Sequence, residues 1–191
     1  MVDAKSFESD KIFVTGVNGH IGNNIVRDLL EHGYFVTGSV RDLQDPLKVD
    51  HVRQHAIDLG CEDRLILVEA DVLDADGWSE LLAGFDALFH TATVYSHSQD
   101  ADTIIDTAVK GTTHLLKAAH IAGISRIIYT SSVAAVGSVP KGRPKTEEDW
   151  QKLKHSPYTV AKTESEKRAW ELADTYDLDL RVINPGGVLG G

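Results

Sequence analysis

The chain has 191 residues, a formal net charge of −10 and a hydrophobic content of 42%, values that fit one globular domain with a buried core. The negative charge and the lack of a dense Lys/Arg cluster exclude nucleic acid as an expected partner. The sequence shows no signal peptide, no apolar run approaching the roughly 18 residues of a membrane span, and Cys61 as its single cysteine. We therefore expect a cytoplasmic protein without a membrane partner or an internal disulfide.

Short β-branched segments alternate along the chain with longer amphipathic segments, a pattern typical of βα units and a parallel sheet. The predicted strands are residues 11–15, 34–40, 64–69, 87–90, 126–130 and 179–183. The predicted helices are residues 20–32, 46–59, 76–83, 100–122 and 157–176. The polar segment 137–154 is predicted to form a loop. With right-handed crossovers, these elements form an α/β fold with a doubly wound parallel sheet of the Rossmann type.

A glycine-rich segment, TGVNGHIG, joins the first predicted strand to the first predicted helix. Gly16 suits the tight turn, Gly19 allows a diphosphate to approach the backbone, and Gly22 allows the helix to pack closely on the strand. The start of the following helix presents unpaired N–H groups to a phosphate. The segment therefore predicts a dinucleotide site, with an ordinary glycine-rich turn as the alternative.

The second predicted strand ends in GSVRD, which places Arg41 where an acidic residue would bind the ribose 2′-hydroxyl of NAD. An arginine can instead bind a 2′-phosphate through two hydrogen bonds. NADP(H) is therefore the preferred cofactor, with Lys48 as a second cation for the same phosphate. Asp42 keeps NAD(H) as the alternative, and a surface ion pair of Arg41 with Asp42 and Asp45 is the simpler interpretation.

The segment HSPYTVAK predicts a helix start, with Ser156 as N-cap and Pro157 in the first turn. Tyr158 and Lys162 then lie one turn apart on the same face. A phenol is a weak acid at neutral pH, but a neighbouring ammonium stabilises its ionised form, as general acid–base chemistry requires.

A pair of serines, Ser131 and Ser132, follows the fifth predicted strand in the segment YTSSVAAV. The carboxyl edge of an open α/β sheet is where ligands bind. A hydroxyl at this edge can donate a hydrogen bond to a substrate carbonyl and stabilise negative charge on its oxygen.

Two histidines, His51 and His55, are four residues apart on a predicted helix and so share one face. No third ligand follows at a suitable spacing, and the segment has no H-E-x-x-H pattern. We therefore expect no metal site.

Together these segments resemble the extended branch of the short-chain dehydrogenase/reductase superfamily, of the NAD-dependent epimerase/dehydratase type. Within that branch, the chain is most similar to dihydroflavonol reductase-like and related aldehyde or ketone reductases. The resemblance covers nearly the whole chain and rests on TGVNGHIG, VRD with Lys48, Asp71-Val72, FHTAT, YTSS, Tyr158 with Lys162, and NPGGVLG.

The resemblance implies a set of cofactor-binding residues, with Asp71 and Val72 bordering the adenine and Ala92 along the path of the cofactor. The set is Gly16, Asn18, Gly19, His20, Ile21, Gly22, Arg41, Lys48, Asp71, Val72, Thr91, Ala92, Thr93, Lys162, Pro185 and Val188. The implied catalytic residues are Ser132, Tyr158 and Lys162, with Ser131 as the alternative serine.

The function implied by the resemblance is hydride transfer from NADPH to the carbonyl carbon of a small molecule. Tyr158 would give a proton to the oxygen, and Ser132 would orient it. One alternative is a sugar-nucleotide epimerase or dehydratase with bound NAD, which usually has an acidic residue at the place of Arg41. The other alternative is a non-catalytic NAD(P)-binding module.

The sequence departs from its relatives at two places. Many relatives have an asparagine where Ala108 stands, and there it organises a water of a proton relay. Extended members also continue after the NPGGVLG segment into a substrate-binding lobe. We therefore expect residues 1–191 to form one NAD(P)-binding domain without that lobe. The resemblance also implies a homodimer that pairs through the predicted helices 100–122 and 157–176.

Overall fold

The six strands and five helices of the chain alternate in the computed structural model, which describes residues 10–92, 100–137, 139, 142–153 and 156–189. The strands are β1 (Lys11–Thr15), β2 (Phe35–Val40), β3 (Leu65–Glu69), β4 (Ala87–His90), β5 (Arg126–Thr130) and β6 (Asp179–Ile183). The helices are α1 (His20–Glu31), α2 (Pro46–Leu59), α3 (Trp78–Leu81), α4 (Ala101–Ile121) and α5 (Pro157–Tyr176). Two single 3-10 turns lie at Glu62–Arg64 and Val133–Ala135.

The strands form one parallel sheet in the order β3-β2-β1-β4-β5-β6. The chain builds the sheet outward in one direction from β1 to β3 and then returns to the other side of β1 with β4. The prediction of a doubly wound parallel sheet is therefore confirmed. The crevice of such a sheet opens where the order reverses, at the carboxyl ends of β1 and β4.

Apolar side chains of the sheet point alternately to two layers of helices. In β1, Ile12 and Val14 belong to a core with α1 and α2, whereas Phe13 belongs to a core with α3, α4 and α5. All three are at most 4% exposed. This alternation is the two-residue period of a strand that is covered on both faces, and it fixes the sheet between the helices.

The element bounds agree with the predicted ones to within one residue except at α3, which was predicted over 76–83. Gly77 precedes that helix with φ of 83°, a left-handed conformation that ends helical geometry at that point. In the predicted loop 137–154, Trp150 forms an isolated antiparallel bridge with Val136, the residue before the loop. No helix within the described ranges is long and apolar enough to cross a membrane.

Candidate active site

A cleft of about 400 Å³ opens at the carboxyl edge of the sheet, within the size range of ligand-binding pockets. It brings together nearly all of the predicted site residues. These are Gly16, Asn18, Gly19, His20, Ile21, Gly22, Arg41, Asp71, Val72, Thr91, Ala92, Ser132, Tyr158, Lys162, Pro185 and Val188. Lys48 does not line the cleft, and Thr93 lies outside the described residues.

The glycine loop forms the wall of the cleft beside α1. Gly16 has φ of 67°, and a Cβ there would lie 2.8 Å from the Cα of Ala92, so only glycine fits without a shift of the backbone. A Cβ at Gly22 would lie 2.5 Å from the carbonyl oxygen of Gly16, which explains how closely α1 approaches the loop. Gly19 differs, because its nearest contact would be 3.4 Å. Packing within the protein therefore requires glycine at 16 and 22 but not at 19.

The first turn of α1 lines the cleft, and its N-cap residue, Gly19, supplies no side-chain cap to the N–H groups of that turn. Unpaired N–H groups and the positive end of the helix dipole favour an anion at this place. Gly19 lines the cleft, and a Cβ there would meet only the Gly16 carbonyl oxygen, so the space beside it is nearly open. The loop therefore fits the diphosphate of a dinucleotide.

A hydroxyl at the end of β1, on Thr15, ties the glycine loop to the end of β4. Thr15 Oγ1 accepts hydrogen bonds from the backbone N–H groups of Thr91 and Ala92, both at 3.1 Å. Its own proton is then assigned to His90 Nδ1, 3.1 Å away. Burial, and to a smaller extent the Lys162 ammonium, lower the pKa of His90 to about 3, so His90 is neutral and accepts this bond.

The two cations after β2 have different surroundings. Arg41 is exposed, lines the cleft and makes no ion pair with another described residue. Lys48 Nζ lies 3.3 Å from Asp42 and 3.1 Å from Asp45, so these carboxylates neutralise Lys48 and not Arg41. The arrangement leaves Arg41 available to a ligand anion, and we do not include Lys48 in the binding site.

Helix α5 carries Tyr158 and Lys162 into the cleft. Its start is the predicted one, since Ser156 Oγ accepts a hydrogen bond from the Thr159 N–H at 3.2 Å and Pro157 occupies the first turn. Lys162 is only 7% exposed, and its Nζ donates to the carbonyl oxygen of Thr130 at 3.2 Å. Burial lowers the pKa of Lys162 to about 8, although the Glu166 carboxylate acts in the opposite direction.

The serines after β5 both line the cleft but differ in their hydrogen bonds. Ser132 Oγ accepts from the Ala134 N–H at 3.1 Å, which leaves the hydroxyl proton of Ser132 free to be donated elsewhere. Ser131 Oγ is buried and has no hydrogen-bond partner among the described residues. Because buried polar groups are rarely left unpaired, this hydroxyl also fits a ligand that supplies the partner.

Sequence reasoning missed three residues that hold the site together: Thr15, Glu166 and Asn184. All of Thr15 and 96% of Glu166 are shielded from solvent. A threonine at the carboxyl end of an apolar strand was the only sequence signal for Thr15, and Glu166 lies one turn beyond Lys162. Within the described part of the chain, no group of three or more His, Cys, Asp or Glu residues could hold a metal ion.

The sequence profile of the NAD dependent epimerase/dehydratase family matches residues 12–191, almost the whole chain. The chain belongs to the NAD-dependent epimerase/dehydratase family. The predicted family resemblance is therefore confirmed, and the glycine loop, Tyr158 and Lys162 all lie inside the matched range.

Similar members of this epimerase/dehydratase family include plant reductases. Cinnamoyl-CoA reductase 1 of Petunia hybrida is 36% identical over 194 residues, which cover 97% of this chain and 56% of that protein. A bifunctional dihydroflavonol 4-reductase/flavanone 4-reductase of Pyrus communis is 33% identical, covering 96% of this chain and 55% of its own length. The chain thus spans about 56% of the length of the curated relatives it matches.

Among solved structures, Gre2 of Candida albicans in complex with NADPH superposes with a TM-score of 0.79 at 26% identity. The match covers 93% of this chain and 57% of Gre2. The fold that carries the cleft is therefore shared with a protein whose structure contains NADPH.

Proposed function

We propose that the protein is an NADP(H)-dependent oxidoreductase that reduces a carbonyl group of a small molecule. One observation carries the proposal: Ser132, Tyr158 and Lys162 line the same cleft as the glycine loop. Carbonyl reduction requires a proton donor and a hydride donor that both reach the same carbonyl group, and this cleft has room for both donors. In this proposal, residues 1–191 are one NAD(P)-binding domain.

The cofactor would be held by groups along the length of the cleft. The first turn of α1 would bind the diphosphate, with Gly19 allowing close approach. Arg41 would bind the 2′-phosphate. This assignment is supported by its position in the cleft and by the absence of an ion pair with another described residue. Asp71 and Val72 would border the adenine, and Lys162 would lie beside the nicotinamide.

The cofactor, when bound, supplies the hydride, and the protein supplies proton transfer and orientation. Tyr158 would donate its phenolic proton to the carbonyl oxygen. The Lys162 ammonium would stabilise the phenolate that remains. Ser132 would donate a hydrogen bond to the same oxygen, because Ala134 occupies a lone pair of its hydroxyl and leaves the proton free.

The relatives support this direction of chemistry. The similar plant proteins are named as reductases of cinnamoyl-CoA and dihydroflavonols, and the Candida albicans structure holds NADPH. We propose an aldehyde or ketone as the substrate class.

Nucleotide titration tests the proposal. In a titration followed by intrinsic tryptophan fluorescence, we expect the chain to bind NADPH more tightly than NADH. Arg41→Ala should weaken NADPH binding by about 10- to 100-fold, because a charge-assisted contact to the phosphate is lost. NADH, which lacks this phosphate, should bind with an affinity within about twofold of that of the unaltered chain. Arg53→Ala, on an exposed face of α2 and paired with Asp50, is the matched control.

The variant Lys48→Ala tests whether Lys48 binds the cofactor, as the sequence predicts. Because Lys48 contacts Asp42 and Asp45, we expect its NADPH affinity to be unchanged. A clear preference of the unaltered chain for NADH would contradict the proposal and favour an epimerase or dehydratase. NADPH binding without oxidation by any member of an aldehyde and ketone panel would favour a non-catalytic module.

A further inference from the structure

Asn184, the residue after β6, connects the catalytic serine to helix α5 through its side chain. Its Nδ2 donates to the carbonyl oxygen of Ser132 at 3.1 Å and to Glu166 Oε2 at 2.8 Å. An amide nitrogen has two hydrogen atoms, and each of these contacts uses one. A single side chain therefore joins the segment after β5, the end of β6 and α5.

Backbone hydrogen bonds run on both sides of this contact. The Ser131 N–H donates to the Ile183 carbonyl at 2.8 Å, and the Val133 N–H donates to the Pro185 carbonyl at 3.0 Å. The Ser132 carbonyl between them accepts from Asn184 Nδ2 and also from the Ala135 N–H at 2.9 Å. The backbone of the catalytic serine is thus held from both neighbouring residues and from its own carbonyl.

The connection includes a buried carboxylate, that of Glu166, which accepts a hydrogen bond from Asn184. Its side chain is on the same helix as Tyr158 and Lys162, and the residue is only 4% exposed. A buried carboxylate needs hydrogen-bond donors, and Asn184 supplies one. The contact therefore stabilises both Glu166 and the orientation of Asn184 toward Ser132.

We infer that Glu166 and Asn184 are positioning residues that hold the Ser132 hydroxyl at a fixed place relative to Tyr158. Tyr158 is on α5, and Ser132 is on the segment after β5. The Glu166–Asn184–Ser132 contact is one side-chain connection between these two segments. The Lys162 contact to Thr130 and the Tyr129 contact to Ser165 connect α5 to β5 just before it. The effect on turnover rests on the proposed function, whereas the effect on the Ser132 segment does not.

Fixed placement matters because the two hydroxyl groups must reach one carbonyl oxygen. A displacement of about 1 Å in such a group can lower a rate by about a hundredfold. Loss of the connection should therefore lower kcat while the affinity for NADPH, which depends on the glycine loop and Arg41, stays nearly unchanged.

Three variants separate a hydrogen-bonding role from a charge or packing role. Asn184→Ala removes both donors. Glu166→Ala removes the acceptor, and Glu166→Gln removes the charge but keeps an oxygen that accepts from Asn184. Glu164→Gln is the matched control, since Glu164 is on the same helix with 46% of its side chain exposed and an ion pair to Lys167.

The pH of the assay must be chosen with the charges around Lys162 in mind. The Glu166 carboxylate acts on Lys162 from the same helix, and Tyr158, His90 and Tyr129 line a small cavity together with Lys162. Because the Glu166 carboxylate raises the pKa of Lys162, Glu166→Gln lowers that pKa further. Activities are therefore compared at about pH 6, below the pKa of about 8 that Lys162 has in the unaltered chain.

The readout that needs no turnover is hydrogen exchange of the Val133 amide, followed by NMR in the ligand-free chain. We expect exchange to become at least about tenfold faster in Asn184→Ala and Glu166→Ala, and to stay within about threefold in Glu166→Gln and Glu164→Gln. The amide of Val14, in the central strand, reports global unfolding in the same samples. Acceleration at Val133 must exceed that at Val14.

The second readout is the steady-state reduction of a carbonyl by NADPH. We expect kcat to fall about 10- to 100-fold in the two alanine variants and to be retained in Glu166→Gln. Unchanged Val133 exchange in Asn184→Ala, or equal losses in Glu166→Gln and Glu166→Ala, would overturn the inference. Absence of turnover in the unaltered chain would contradict the proposed function alone, since the exchange measurement still decides the positioning role.

Discussion

Replacement of Lys162 by methionine should stabilise the folded chain while it impairs the site. The pKa of Lys162 falls from 10.5 to about 8 because the ammonium is buried. This difference of 2.5 pH units, at about 1.4 kcal/mol each, corresponds to about 3 kcal/mol of unfolding free energy lost at neutral pH. Methionine has a similar length and no charge, so Lys162→Met removes this cost.

The variant also loses the hydrogen bond from Nζ to the Thr130 carbonyl. Such a bond contributes about 1 kcal/mol, so the net gain is about 2 kcal/mol. For a chain of this size, that gain corresponds to a rise in Tm of roughly 4–8 °C. Activity should fall by at least about a hundredfold, because Tyr158 loses the adjacent cation.

The gain has a defined pH dependence. The unfolded Lys162 keeps its proton up to pH 10.5, while the folded one loses it above about pH 8. The unfolded state therefore binds more protons between these values, and the stability of the unaltered chain rises with pH across this window. The advantage of Lys162→Met should be complete below about pH 8 and disappear as the pH approaches 10.5.

Urea denaturation of both chains at about pH 7 and pH 10, followed by circular dichroism, measures the difference. Groups distant from Lys162 titrate equally in both chains, so their contributions cancel. A variant less stable than the unaltered chain at pH 7, or a difference independent of pH, would refute the account of Lys162 as a buried cation.

Further variants test the other contacts of the cleft. Gly19→Ala should leave Tm within about 2 °C but weaken NADPH binding at least about tenfold, whereas Gly22→Ala, whose Cβ would lie 2.5 Å from a carbonyl oxygen, should unfold more easily. Ser131→Ala should keep or slightly raise stability, since its hydroxyl has no partner among the described residues, and should weaken NADPH binding measured by fluorescence. Thr15→Val should lower the unfolding free energy in urea by roughly 2–4 kcal/mol, because two N–H groups and His90 lose their common partner; a smaller loss would contradict that network.

The fold follows from local patterns that sequence carries directly. The alternation of strands and helices, the Ser156 cap and the glycines after β1 each depend on residues close in sequence, and each appears as predicted. The start of α3 was misjudged because the pattern of apolar residues did not show the left-handed conformation of Gly77.

Several contacts of the site could be recognised only from the three-dimensional structure. Lys48 was expected beside Arg41 because both follow β2, but a chain can pair its charges locally, and Asp42 and Asp45 occupy the Lys48 ammonium. The connection from Glu166 to Asn184 joins residues 18 positions apart. No spacing rule predicts it, because it depends on how α5 and β6 lie beside each other.

The most direct test of the central claim is the effect of Tyr158→Phe on NADPH-dependent carbonyl reduction. The variant removes one hydroxyl from the cleft, so NADPH affinity should stay within about twofold. With the best substrate of an aldehyde and ketone panel, followed by loss of NADPH absorbance, we predict a fall in kcat of at least about a hundredfold. A rate equal to that of the unaltered chain would show that Tyr158 does not donate the proton.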